Sequence, residues 1–203
     1  QRKFDKYKKI KTQKSITGFD AARYILSTNS YNDISIKKVR GSLSDYFNPV
    51  SKEIALSETS MTDTSIASLA VAAHECGHVI QYKQGYIPLK IKSYIVPAVN
   101  LGSKLSFPMI LLGIFLSMGK LITIGILLFS FVLIFQIITL PVEFDASRRA
   151  LKVLKESGML IGVENDYAKD MLKSAALTYV AATISTALQF LRLWILFGNR
   201  RDD

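Results

Sequence analysis

Both histidines of this 203-residue chain fall within one pentad, His74-Glu75-Cys76-Gly77-His78. On a helix, residues i and i+4 share a face, so the two imidazoles point the same way. Two neutral ring nitrogens placed like this can reach one metal ion at about 2.0–2.1 Å. Glu75 lies beside the ligand face, where its carboxylate can serve a water rather than the ion itself. This is the H-E-x-x-H arrangement of zinc-dependent hydrolysis, with Glu75 as the general base.

A catalytic zinc takes three protein ligands and keeps one position open. No third histidine exists, and Cys76 faces away from the pair, so the remaining ligand must be a carboxylate. Residues 95–141 carry only two charges, Lys104 and Lys120. If residues 95–118 leave the catalytic side, residues 121–140 return to it, and Glu143 is then the first carboxylate available. Asp145 competes. Two positions apart on a helix point nearly opposite ways, so only one of the pair can face the ion.

The elements around these residues follow from periodicity. Residues 15–29 read as a helix capped by Thr17, with Ala21, Ala22, Ile25 and Leu26 as its apolar stripe. Residues 34–41 and 52–58 alternate as strands, and the turn chemistry of Asp45, Asn48 and Pro49 between them predicts a small antiparallel ribbon. The helix holding the histidines is capped by Asp63 or Thr64 and ends at Gly85, with Ile66, Leu69, Ala70, Ala73, Gly77 and Ile80 in register. Gly77 lets another element approach closely.

Residues 95–118, despite Pro97 and Pro108, and the uncharged run 121–140 are each long enough to cross a bilayer, with Gly119-Lys120 as the turn between them. From Val142 the pattern is amphipathic again and stops at Gly158. Residues 175–198 form a third apolar helix. The formal net charge is +10, with most of the surplus in residues 1–95. Next to apolar segments this predicts contact with anionic lipid rather than nucleic acid, for which there is no motif. The basic run at residues 2–14 suits a headgroup surface. With the single cysteine Cys76, no intrachain disulfide is possible.

HECGH, then GYIPLK, an apolar hairpin, LPVEFDASRRAL and AALTYVAA together resemble the YugP-like neutral zinc metallopeptidases of bacterial membranes, from about Thr17 to the C-terminus. More distantly the chain is similar to the HtpX and CAAX-protease group of integral membrane gluzincins. The resemblance implies zinc held by His74, His78 and Glu143, with Glu75 as the catalytic base. Two departures stand out. The HtpX-type pattern has an Asp four residues after the third ligand, where this chain has Ser147. The YugP-like pattern also begins with a membrane helix, so a segment ahead of Gln1 is expected.

The expected architecture is a mainly α membrane protein with a zincin-like active-site helix. It divides into a catalytic-side region at 1–94 with the ribbon, a transmembrane hairpin at 95–141, a third-ligand helix and connector at 142–174, and a C-terminal apolar helix and tail at 175–203. The expected activity is endopeptidase action on membrane-associated or membrane-proximal polypeptides. The alternative is a regulatory or structural membrane protein that binds zinc without catalysis. A further possibility is a lipid-surface or assembly protein working through its basic N-terminal region.

The expected partners are a polypeptide substrate and the lipid bilayer, with no nucleic acid. The expected location is the bacterial cell membrane, with the basic catalytic side in the cytoplasm. If residues 175–198 cross the bilayer, Arg200 and Arg201 end on the far side. Arg148, Arg149, Tyr82, Tyr86 and Tyr179 are candidate oxyanion donors, and none is preferred. Ile54 to Ser57 is the candidate strand edge for pairing with a substrate backbone.

Overall fold

The computed structural model describes residues 2–198, so Arg200 and Arg201 lie outside the described residues. Helix α1 (Arg2–Tyr7) is short, and Tyr7 anchors it by donating from Oη to Asp170 at 2.6 Å and stacking on Tyr167. Helix α2 (Gly18–Thr28) starts at Thr17, whose hydroxyl accepts from the Asp20 N–H. Its buried residues include Ala21, Ala22, Ile25 and Leu26, the stripe read from the sequence.

The ribbon is a three-stranded mixed sheet. Strands β1 (Ser35–Val39), β2 (Tyr46–Asn48) and β3 (Glu53–Ser57) lie in the order β1-β3-β2. The segment that reads as pure turn contains β2. Asn48 Oδ1 accepts from the Val50 and Ser51 N–H groups, which turns the chain back on itself so that β2 pairs antiparallel with β3. That uses one side of β3. The other side takes β1 in parallel, with Ile36 opposite Ile54. The expected antiparallel pairing of the two outer stretches is therefore corrected, because a third strand occupies the antiparallel position.

Helix α3 (Glu58–Thr62) follows, with Asp63 as its C-cap. Asp63 is thus taken, and helix α4 (Ile66–Lys83) is capped by Ser65, which accepts from the Ser68 N–H, rather than by Asp63 or Thr64. Gly85 ends the segment at φ 65°, a conformation that glycine adopts without steric cost.

Three long helices complete the fold: α5 (Ile87–Phe115), α6 (Gly119–Glu156) and α7 (Val163–Phe197). Each is long and apolar enough to cross a membrane. The α5–α6 turn falls just before Gly119, at Leu116 to Met118, and Gly119-Lys120 already belongs to α6. Helix α6 also runs unbroken through Pro141. Proline can be accommodated in such helices when the freed carbonyl finds other partners.

Two compact units result. The first is Gln1–Tyr86 with Val142–Leu177, and the second is Ile87–Pro141 with the α7 residues from Thr178 onward. The first has a water-type core in which Leu69, Ala72, Ala73 and Val79 of α4 are sealed from solvent, with Ile54 and Leu56 of β3. Among the described residues, the second has a small cluster, Ile110, Ile122 and Ile126, with Phe190, Leu193 and Phe197 against it.

Candidate metal centre

Helix α4 carries His74 and His78 one turn apart, and their rings meet edge-on at 4.8 Å. The C-terminal part of α6 lies directly against this face. A Cβ added at Gly77, between the histidines, would sit 2.5 Å from the Ala146 carbonyl oxygen. No side chain fits there, so glycine at 77 is what allows α6 to come within reach of both rings. The α6 residues Val142, Ala146, Ala150 and Leu154 recur every fourth position and are all buried, which fixes the face that α6 presents.

That face delivers Glu143. Its Oε2 lies 3.3 Å from His74 Nε2 and 3.8 Å from His78 Nε2. The three candidate ligand atoms all fall within 4.8 Å of one another. In a tetrahedral zinc site with bonds of about 2.0–2.1 Å, neighbouring ligand atoms are about 3.3–3.4 Å apart. One edge already has that length and another is close, so the donor set fits zinc with a closure of at most about 1.5 Å along the longest edge.

Asp145 faces elsewhere. It accepts from Gln81 Nε2 at 3.0 Å and pairs with Arg148 and Arg149. Two residues that looked equivalent as charges are assigned opposite tasks by 200° of helix rotation.

The outer ring nitrogens are also held. His78 Nδ1 lies 3.0 Å from Gln81 Oε1, and His74 Nδ1 lies 3.2 Å from Ser147 Oγ. Ser147 stands where the HtpX-type pattern has an aspartate, and its hydroxyl meets the imidazole in place of a carboxylate. Gln81 was not singled out from the sequence, although a signal was present. His74, His78 and Gln81 sit at i, i+4 and i+7, which is one helix stripe.

Glu75 is a buried carboxylate, 7% exposed, on the turn between the two histidines. Burial drives the Cys76 thiol far above its ordinary pKa, which suits a packing role.

The candidate oxyanion donors separate. Both arginines pair with Asp145, and Arg149 also bonds Gln84 and lies over the Tyr86 ring. Tyr82 packs its ring on Phe47 at 5.7 Å, and Tyr179 belongs to the second unit. The expected substrate edge, Ile54 to Ser57, is corrected as well. It lies in β3, the central strand: β1 pairs with it through Ser57 on one side, β2 pairs with Ile54 and Ala55 on the other, and the Ser57 N–H donates to Asp45 Oδ1. The free edges are β1 and β2.

The chain matches, over residues 1–198, the family described as "Putative neutral zinc metallopeptidase". The chain belongs to this family. It is also 38% identical over 200 residues to "Putative membrane protease YugP" of Bacillus subtilis (strain 168), covering 98% of this chain and 89% of that protein. No solved structure matches it. Membership places the chain among membrane zinc peptidases, in keeping with its three bilayer-length helices and with a His/His/Glu cluster able to hold a metal.

Proposed function

We propose that the chain is an integral membrane zinc endopeptidase of the gluzincin type, acting on membrane-associated or membrane-proximal polypeptides. His74, His78 and Glu143 hold the zinc and Glu75 is the general base. The observation that carries this reading is the convergence of the two Nε2 atoms with Glu143 Oε2. Bound zinc would supply Lewis acidity, polarising a peptide carbonyl and lowering the pKa of water toward about 7. A Glu75 carboxylate oxygen takes a proton from the attacking water and passes it to the leaving amine nitrogen. Burial keeps bulk water from competing for that proton.

The substrate backbone pairs with the free edge of β2. Phe47 of β2 contacts Tyr82, and Tyr82 is one helical turn beyond His78 on the same side of α4. An extended chain added at this edge therefore runs beside the half of α4 that carries His78. The excess of lysine and arginine in residues 1–95 supports a cytoplasmic catalytic side.

The test pairs elemental analysis with cleavage of an unfolded protein. Wild type carries one zinc per chain, and Glu143→Gln reduces that content. Glu75→Gln retains zinc and loses cleavage by at least 100-fold, the lower end of what a general base contributes. Zinc without cleavage in wild type would turn the reading to a regulatory metalloprotein, and wild type without zinc would end it.

A further inference from the structure

Gln81 is fully buried, and its amide makes three contacts that admit one orientation. Nε2 donates to the Val142 carbonyl oxygen at 2.8 Å and to Asp145 Oδ2 at 3.0 Å. A backbone carbonyl only accepts, and so does an ionised carboxylate. Asp145 turns Oδ1 to Arg148 and Oδ2 to Arg149, so both of its oxygens already accept from guanidinium groups. A reversed amide would set Oε1 against two acceptors in a buried site, so the nitrogen must face α6. Oε1 then faces His78 Nδ1 at 3.0 Å. An amide oxygen has no hydrogen to give, so the proton of this bond belongs to Nδ1.

We propose that Gln81 is a positioning residue that locks His78 as the Nδ1–H tautomer and ties it to the turn of α6 carrying Glu143. The proposal rests on the reading of His78 as a zinc ligand. With Nδ1 protonated, the neutral ring presents a bare lone pair at Nε2, the atom 3.8 Å from Glu143 Oε2. The lone pair and the carboxylate oxygen then converge on one point as two acceptors, the arrangement that a cation between them stabilises.

The same amide bonds Val142, the residue immediately before Glu143. A single side chain thus sets both the tautomer of one ligand and its distance from another. Ser147 cannot do this for His74, because a hydroxyl donates or accepts according to its rotation. The two histidines are therefore supported unequally. One is fixed by an amide anchored to a carboxylate and two arginines, and the other rests on a rotatable hydroxyl.

The experiment uses the full chain, metal-free, with 15N-labelled histidine. Only two imidazoles contribute signals, and a His74→Asn variant assigns them. His78 in wild type is expected to be protonated at Nδ1 and bare at Nε2. In Gln81→Met, which keeps the volume and removes both hydrogen-bonding groups, His78 averages between tautomers while the His74 signals stay in place.

Zinc affinity measured by chelator competition should fall about 10–100-fold in Gln81→Met, the usual cost of losing an outer partner of a metal-bound histidine. Gln81→Glu separates the two roles. It still accepts from Nδ1–H and preserves the tautomer, but it loses the bonds to α6 and weakens zinc binding. In wild type, a neutral His78 protonated at Nε2 instead of Nδ1 would overturn the positioning role. So would equal zinc affinity in wild type and Gln81→Met. If wild type binds no zinc, the ligand reading fails instead, and with it the purpose assigned to Gln81, whatever the tautomer.

Discussion

Helix α6 contains two regions with opposite rules. From Gly119 to Pro141 many of its large apolar residues lie outside, with Leu127, Phe131, Ile134 and Ile137 exposed, while Ile122 and Ile126 are buried. From Val142 to Glu156 an apolar stripe faces inward, and Val142, Ala146, Ala150 and Leu154 are sealed from solvent, with Phe144 exposed on the other side. The backbone does not change between them, since one continuous helix covers both. What changes is the surrounding solvent. Water drives apolar groups together, and lipid gives them no reason to hide. The same contrast holds across the two units. Only 22%, 17% and 6% of the most apolar windows of α5, α6 and α7 are buried, so packing within the chain cannot be what satisfies them. The His74, His78 and Glu143 cluster lies wholly in the first unit, where close packing can hold side chains to a fixed geometry.

The largest effect expected from this contrast is at Gly77. Gly77→Val places atoms where the Ala146 carbonyl oxygen would be 2.5 Å from Cβ alone, and both partners are backbone or buried. Separating α4 from α6 should abolish zinc retention and lower the unfolding midpoint sharply, as read by zinc content and denaturant titration in detergent. A variant that keeps its zinc would mean that the helices tolerate more distance than the contact implies.

A matched pair comes next. Leu154→Ala, in the buried stripe, should cost about 2–5 kcal/mol of unfolding free energy. Leu127→Ala, on the exposed apolar face, leaves no cavity and should cost well under about 1 kcal/mol in the same assay. Equal losses at the two sites would remove the distinction between the regions.

The smallest effect lies on the solvent side of the first unit. Hydrogen bonds from Lys83 and Lys52 hold the Asp33 carboxyl down to about 2, against an ordinary 3.8. A depressed carboxylate stabilises the fold above its unfolded pKa and loses that contribution as pH falls through the folded value. The stability difference between wild type and Asp33→Asn should therefore be constant above about pH 5 and shrink toward pH 2. It should be small throughout and should diminish with salt, because the pair is exposed. A difference that grows on acidification would contradict the assignment.

Much of the site was legible without the structure because its main part is local. His74, Glu75 and His78 lie within five residues, and helical repeat alone puts the two histidines on one face. The Thr17 cap and the Gly85 and Gly158 stops also depend only on neighbours in the chain. The uncharged run 121–140 declares its solvent by composition. Other features were not legible for a common reason. The residues Tyr46 to Asn48 are too few to show alternation, so β2 passed for turn and the sheet order was missed. The run 121–140 and the amphipathic stretch from Val142 read as separate segments, but one helix carries both through Pro141.

The sequence by itself determined that two imidazoles and a carboxylate share one helix, and that three segments are apolar enough to leave water. Both follow from short-range periodicity and composition. Only the tertiary structure decided that Glu143 rather than Asp145 meets the histidines, and that Gln81 and Ser147 hold their outer nitrogens. Those choices depend on the rotation of α6 against α4. That rotation is set by the seating of Ala146 on Gly77 and by which residues of α6 the core can bury, and no local repeat in the sequence records it.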